Sequence, residues 1–317
     1  EVVWVEPPGG SPDRTEHPIA HAVWNRGKRS VTLDVTTPGG RSELLELLAA
    51  ADVFVESWKP GVASSLGLGF ESLHAANPGL VMCSVSMFGA EGRYRDIDGA
   101  ESLVHALVGT TGEQAGHRTP PIYEGLPFAG IGAGYLAVIG TLSALYRRFD
   151  DGIGRHVETS LLDGALVYLS MMWGNHDGEQ GGGNPAAGTY RLITKAFQCA
   201  DDEYIGVHTG AVGAFGRLMV ELGLDDRVPP SETGMDIGVP LTPEQKKVLD
   251  ENLDPIFRSR PRAEWIDRLR AADVCAIPHL RPTQVFDEPQ AKHNGMSILV
   301  DDLVLGAVRQ VAPAVQI

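Results

Sequence analysis

Two side chains in this sequence have the type and position for acid–base chemistry near one glycine-rich turn. His105 follows Gly99 in a predicted helix, and a histidine can act as a general base because its unperturbed pKa lies near neutrality. Glu124 lies six residues before Gly130, so its side chain would reach that glycine only if the intervening loop folds back. Both are candidate catalytic residues, although isolated acids and histidines more often have structural roles.

The cysteines and histidines indicate neither a metal site nor a disulfide framework. Cys83, Cys199 and Cys275 are far apart, and the ten histidines include no HExxH motif. Free thiols are the usual state of cysteines in a reducing compartment. We therefore expect a cytoplasmic protein without a metal ion.

The charge balance bears on the partners of the chain. It has 41 acidic and 26 basic side chains, a net charge of −15, which disfavours nucleic acid and anionic membranes as partners. No segment approaches 18 uninterrupted apolar residues, and the first residues carry neither a basic region nor a cleavage site, so the sequence predicts no membrane helix and no signal peptide.

The first half of the chain alternates between strand and helix patterns. Leucines recur at helical spacing between residues 41 and 51, and short apolar runs lie on both sides of this segment. Strands separated by helices are typical of a parallel sheet with crossover connections. The predicted strands are 1–5, 30–34, 52–56 and 80–86.

The second half predicts two apolar helices and then a change of composition. The helices are 132–148, which we expect to be buried, and 161–173, with a strand at 156–160 before the second. Glycine-rich residues 178–188 predict a linker. The domain prediction is a large domain over 1–177, the linker over 178–188 and a smaller α+β domain over 189–317, with a first βα unit expected to precede Glu1. Helices of the small domain are predicted at 213–222, 243–259 and 262–272.

Several ordered strings resemble the class III CoA-transferases. They are Asn25–Asp34, Ala51–Gly61, Leu66–Gly69 and the turn Gly125–Gly130. That family includes formyl-CoA transferase, the carnitine CoA-transferases and α-methylacyl-CoA racemase. The resemblance implies an α/β fold, with a large domain built on a Rossmann-like parallel sheet, a smaller α+β domain and a dimer of two interlocked rings.

The resemblance also implies a ligand, coenzyme A or an acyl-CoA, bound as substrate. The matching strings supply basic, polar and aromatic residues, whose alternative role is a solvated turn or, for Trp58, packing in the core. The strongly acidic composition suits an anionic ligand poorly unless positive charge is concentrated locally. The CoA-contact residues that the resemblance implies are Asn25, Arg26, Lys28, Arg29, Ser57, Trp58 and Lys59.

The catalytic position departs from the pattern. The resemblance implies an aspartate at Gly130 that attacks the thioester, and glycine has no side chain to do so. The racemase positions fall on Ala100 and near Ala211, which disfavours racemisation. If active, the chain is expected to transfer CoA between carboxylic acids. The alternative is a degenerate subunit, or half of a tandem or heteromeric enzyme, that binds CoA or supports a competent partner. Whether the chain is itself an enzyme stays open, as does the choice between a homodimer and a heteromer.

Overall fold

The computed structural model describes residues 1–112, 121–170, 173–176, 179–182 and 190–315. Strands and helices are numbered in chain order. The strands are β1 (Val3–Glu6), β2 (Arg29–Thr32), β3 (Val53–Glu56), β4 (Val81–Ser86), β5 (His156–Ser160), β6 (Trp173–His176), β7 (Glu179–Gly182), β8 (Thr194–Gln198), β9 (Tyr204–His208), β10 (Cys275–His279), β11 (Ser297–Asp302) and β12 (Gly306–Val311). The helices are α1 (Asp13–Glu16), α2 (Pro18–Trp24), α3 (Pro38–Ala49), α4 (Val62–Ser65), α5 (Phe70–Ala76), α6 (Glu101–Val108), α7 (Phe128–Asp151), α8 (Leu161–Leu169), α9 (Ala214–Leu222), α10 (Pro243–Phe257), α11 (Arg262–Ala271) and α12 (Pro289–His293).

The chain forms two compact units. Among the described residues, the first comprises 1–112, 121–170, 173–174 and 298–315, and the second comprises 175–176, 179–182 and 190–297. The grouping differs from the predicted division after residue 188, because the segment from Ile298 onward joins the first unit. Most of the predicted linker lies outside the described residues, and the part that is described forms β7.

Parallel strands form the framework of the first unit. β1 pairs with β2, and β3, β4 and β5 form a second sheet in that order. All these pairings are parallel, and helices connect the strands, as the alternating sequence pattern predicts. The observed fold is therefore a mixed α/β fold with parallel sheets. The carboxyl ends of β3, β4 and β5 meet at one edge, where ligands of such sheets usually bind.

Leucines and a methionine fill the core beside this sheet. Leu44, Leu68, Leu80 and Met82 are at most 3% exposed and belong to one cluster. The predicted helix over 41–51 is α3, which begins earlier, since Thr37 caps it by accepting a hydrogen bond from the Gly40 N–H (3.1 Å). This core holds the loop after β3 in a fixed position.

The exposure of helix α7 contradicts one prediction. The apolar pattern predicted a buried helix, yet only 28% of its most apolar 18-residue stretch is buried. One face packs on β4, β5 and α8, and the opposite face exposes large apolar side chains such as Leu142 and Phe149. By length and composition alone, α7 is the single described helix that would be apolar enough to span a membrane, a criterion that core helices of globular proteins also meet.

The second unit has its own core. Strands β8, β9 and β10 form an antiparallel sheet with β9 in the centre, and helices α9, α10 and α11 cover it. Phe197, Phe215, Phe257 and Trp265 are buried in one cluster. A capping box between Thr242 and Gln245 fixes the start of α10.

Candidate functional site

A cleft of about 530 Å³ opens at the carboxyl ends of β3, β4 and β5. Trp58 and Lys59, from the loop that follows β3, lie on one side of it. Ser86 at the end of β4 and Asp163 at the start of α8 lie on another. Three neighbouring strand ends therefore contribute to a single cavity, the usual place for a ligand in this type of sheet.

Two cations lie in the cleft wall. The Lys59 Nζ lies 2.5 Å from Asp98 Oδ1, and both side chains are largely exposed. The Arg95 guanidinium donates to the carbonyl oxygens of Pro60 (3.1 Å) and Ala90 (2.9 Å), which joins the loops after β3 and β4. These cations can attract an anionic ligand such as a phosphate group.

Trp58 has two kinds of neighbour. It packs partly against the leucine core and lies edge-on to Phe54, with ring centroids 6.2 Å apart. Its backbone N–H donates to Glu56 Oε2 (2.7 Å), which fixes the turn. A half-buried indole held at a cleft wall can stack on an aromatic ligand.

A serine–histidine pair lines the same cleft. Ser84 Oγ and His156 Nε2 are 2.9 Å apart on the neighbouring strands β4 and β5. The His156 ring stacks on Phe70, with centroids 5.3 Å apart. Next to Ser84, burial raises the pKa of the Cys83 thiol, so that this cysteine stays a neutral thiol at neutral pH.

A second cluster is centred on the first turn of α7. Helix α7 begins without a side-chain cap of its own. Instead, Glu101, the first residue of α6, accepts a hydrogen bond at Oε1 from the Gly130 N–H (3.0 Å). A Cβ atom added to Gly130 would lie 3.0 Å from Glu101 Oε2. The carboxylate therefore occupies the space in front of the glycine and meets the positive end of a 24-residue helix.

His105 joins Glu101 to Glu124. The imidazole is 1% exposed; its Nε2 lies 3.4 Å from Glu101 Oε1 and its Nδ1 lies 3.2 Å from Glu124 Oε2. The Phe128 ring stacks on it at 4.1 Å and nearly parallel. Thr110 Oγ1 donates to Glu124 (3.0 Å). The two candidates named from the sequence, His105 and Glu124, thus lie side by side at Gly130.

The cluster and the cleft share a wall. Asp163 lines the cleft, and it is held by Ser160, whose Oγ donates to Asp163 Oδ2 (2.6 Å) and accepts from its N–H. The next residue, Gly164, packs so closely on α7 that an added Cβ would be 2.3 Å from the Ala129 carbonyl oxygen. The start of α8 therefore contacts the cleft through Asp163 and the first turn of α7 through Gly164.

The residues predicted to contact CoA fall in two places. Trp58 and Lys59 line the cleft, with Ser57 next to them in the same loop. Of the others, Asn25 ends α2 and accepts from Lys28 Nζ (3.0 Å). Arg26 donates to Gln310 and to the Val311 carbonyl oxygen, and Arg29 pairs with Glu1. Asn25, Arg26, Lys28 and Arg29 do not line the cleft, and their role in CoA binding stays a prediction.

Sequence reasoning missed three contributors to these sites. Arg95 carried no recognisable pattern, and its role depends on carbonyl groups 35 and five residues away. The contact of His156 with Ser84 could not be predicted, because it depends on the pairing of β4 with β5. Glu101 stands in the string Gly99-Ala100-Glu101, and its role depends on a contact with Gly130, 29 positions away, that this string does not indicate. Among the described residues, no cluster could hold a metal ion.

The comparison with known families identifies the chain. The sequence profile described as CoA-transferase family III matches residues 1–317. The chain belongs to CoA-transferase family III. Since the match covers the whole chain, both the cleft and the Gly130 cluster lie inside the family domain.

Similar proteins carry related activities in their names. An acyl-CoA transferase of Fusarium pseudograminearum is 30% identical over 93% of this chain and 65% of its own length. The succinyl-CoA–D-citramalate CoA-transferase of Chloroflexus aurantiacus is 36% identical over 54% of this chain and 45% of its own length. Human α-methylacyl-CoA racemase is 28% identical over 87% of this chain and 72% of its own. The chain thus spans less than two thirds of the length of the first two relatives.

Solved structures share the fold. A CAIB/BAIF family protein from Brucella suis superposes with a TM-score of 0.79 at 27% identity, covering 100% of this chain and 85% of its own. The protein Rv3272 from Mycobacterium tuberculosis gives a TM-score of 0.79 at 24% identity, covering 100% of this chain and 85% of its own. The mixed α/β fold with parallel sheets is therefore that of the CAIB/BAIF proteins.

Proposed function

We propose that this protein binds acyl-CoA thioesters in the cleft and transfers CoA between carboxylic acids. The observation that carries the proposal is the cleft itself, where the loops after β3 and β4 bring Trp58, Lys59 and Arg95 together. An indole and two cations match the adenine and phosphates of CoA. Family III membership and the names of the relatives support the same ligand class.

The charge of the cleft wall predicts how the ligand lies. Glu56, Glu91, Glu158 and Asp163 line it together with the two cations. Phosphates are repelled by carboxylates, so we expect them at the end occupied by Lys59 and Arg95. The thioester would then point along the wall towards α8.

We further propose that two copies of the chain associate through α7. Six large side chains on its outer face are 55–84% exposed, which is unusual for an isolated globular protein. A second copy of the chain is the proposed occupant, as the resemblance to an interlocked dimer implies. The six residues are Tyr135, Val138, Ile139, Leu142, Tyr146 and Phe149.

A second candidate function is a subunit that binds CoA without catalysis. Gly130 favours it, since the position lacks a carboxyl group. In this case a competent family member would supply catalysis in a heteromer. The carboxylate of Glu101 in front of Gly130 favours the first proposal over this one.

Calorimetric titration with CoA tests the proposed ligand. We expect the purified protein to bind CoA, and Trp58→Ala to weaken binding by about tenfold or more through lost stacking. Lys59→Ala should weaken binding most at low salt, because screening reduces its attraction for phosphate. Lys247→Ala, at an exposed lysine of α10, is the matched control and should bind like the wild type.

The titration also has a clear negative result. If CoA and acetyl-CoA both fail to bind the wild type, the proposed function is wrong. If they bind and neither Trp58→Ala nor Lys59→Ala changes the affinity, the cleft is the wrong site.

A further inference from the structure

The transfer reaction needs a nucleophile, and several groups that line the cleft are held by hydrogen bonds or by burial. Asp163 is tied to Ser160, and Glu56 accepts the Trp58 N–H. The Cys83 thiol is kept neutral by burial.

Glu101 differs from these groups in geometry. Its Oε1 accepts from Gly130 and faces His105, while its Oε2 makes no hydrogen bond to a described residue. The side chain is 23% exposed, and Oε1 is the oxygen that is held by Gly130. The carboxylate of Glu101 thus lies at the positive end of α7, and a carboxylate can act as a covalent nucleophile.

His105 keeps this carboxylate in place. The imidazole lies between Glu101 and Glu124 and stacks on the Phe128 ring. Neither ring nitrogen has a well-formed hydrogen bond to a described residue. The buried His105 ring lies against Glu101. It limits the rotamers of the Glu101 side chain and holds the carboxylate at the start of α7.

We propose that Glu101 is the carboxylate nucleophile of this chain, taking the place that Gly130 leaves open. The inference rests on the proposed function. Because Oε2 would lie 3.0 Å from a Cβ at position 130, a side chain on either residue would put a carboxylate in nearly the same place. His105 and Glu124 are positioning residues.

The chemistry balances without a further reactant. Glu101 Oε2 forms a bond to the acyl carbon, the carbon–sulfur bond breaks, and CoA leaves as a thiolate with the electron pair. The thiolate attacks Cδ of Glu101 and expels the donor acid as a carboxylate, which leaves a CoA thioester on Glu101. An acceptor carboxylate then reverses both steps and leaves as the new acyl-CoA.

Borohydride capture with peptide mapping tests the assignment. The wild type is incubated with acetyl-CoA, propionyl-CoA or succinyl-CoA and then reduced, which converts an anhydride or thioester on a carboxyl group into an alcohol. We expect the alcohol at Glu101. Glu101→Gln should show no capture and lose CoA transfer by about a thousandfold, while its affinity for CoA stays within about twofold.

The controls separate this inference from the proposed function. Glu244 is an exposed carboxylate in the first turn of α10. In the variant Glu244→Gln, the reduced residue should be Glu101, as in the wild type. If the wild type binds CoA and capture occurs at Glu124 or Glu158, or not at all, Glu101 is not the nucleophile, and the proposed ligand stands. If CoA does not bind, the proposed function is wrong, and so is the inference that depends on it.

Discussion

Glu101 and Gly130 are 29 positions apart in the chain, yet a hydrogen bond joins them at the residue scale. The glycine leaves room for a carboxylate that arrives from another helix. His105 and Glu124 could be named from the sequence as titratable groups near the turn. Their contact with Glu101 could not be predicted, because it depends on the fold bringing α6 against the start of α7.

An ion pair between buried Glu6, at the end of β1, and half-exposed Arg14 gives a prediction on pH. Glu6 is 2% exposed and accepts hydrogen bonds from Arg14 at Nε (2.8 Å) and Nη2 (2.6 Å), from Ser30 Oγ and from the Ser11 N–H. The bond to Arg14 is the largest cause that lowers the pKa of Glu6 from 4.5 to about 2, against the opposing effect of burial. Since the folded pKa lies below the unfolded one, the stabilisation is present above about pH 4.5 and is lost as the pH falls towards 2.

Glu6→Gln should therefore lower the free energy of unfolding by about 2 kcal/mol at pH 7, with a smaller difference from the wild type at pH 3. Urea denaturation at both pH values measures this. Glu1→Gln, which removes the exposed pair with Arg29, is the control and should change nothing measurable. An equal loss at both pH values would contradict the account of Glu6.

At the scale of elements, α7 and α8 pack closely against each other because glycines lie at their contact. A Cβ on Gly164 would lie 2.3 Å from the Ala129 carbonyl oxygen and from the Ala133 backbone nitrogen, and one on Gly132 would lie 2.5 Å from the Gly164 carbonyl oxygen. The contacting atoms are backbone, which cannot rotate away. The close crossing fixes the first turn of α7, and with it Gly130, against the wall of the cleft.

Gly164→Ala should lower the free energy of unfolding by about 2–3 kcal/mol through overpacking, and should reduce CoA transfer by displacing the turn at Gly130. Gly134→Ala is the matched control on α7, since an added Cβ there meets nothing within 4 Å. We expect it to stabilise the helix by up to about 1 kcal/mol. Chemical denaturation of both variants measures the difference, and equal stabilities would exclude the close crossing.

The elements also show what the sequence could predict. The patterns at 52–56, 80–86 and 156–160 correspond to β3, β4 and β5 within a residue, because apolar runs between turn signals are local information. The helix predicted over 132–148 begins earlier, at Phe128. No N-cap side chain precedes it, and its cap comes from Glu101 on another helix, which local reading cannot detect.

At the scale of the molecule, the prediction that the apolar helix over 132–148 is buried was wrong. An apolar helix is expected to be buried, but the outer face of α7 is covered by nothing in the described parts of the chain. The segment from Ile298 onward groups with the first unit, and the small domain over 189–317 stays a prediction. Both depend on non-local contacts, which composition does not encode.

If a second copy covers α7, the wild type should sediment as a dimer at micromolar concentration. Ile139→Asp and Leu142→Asp should shift it towards the monomer, since each places a charge on the apolar face. Val220→Asp, at an exposed valine of α9, is the control and should leave the dimer intact. A monomeric wild type, or variants that remain dimeric, would contradict the proposed interface.

The borohydride capture on the wild-type chain tests the central claim most directly, because it reports which atom receives the acyl group or CoA. The account predicts a reduced carboxyl at Glu101 after incubation with an acyl-CoA thioester and none in Glu101→Gln. Binding of CoA with no reduced residue in the Glu101 peptide would contradict it. The chain would then be a CoA-binding partner of another, competent subunit.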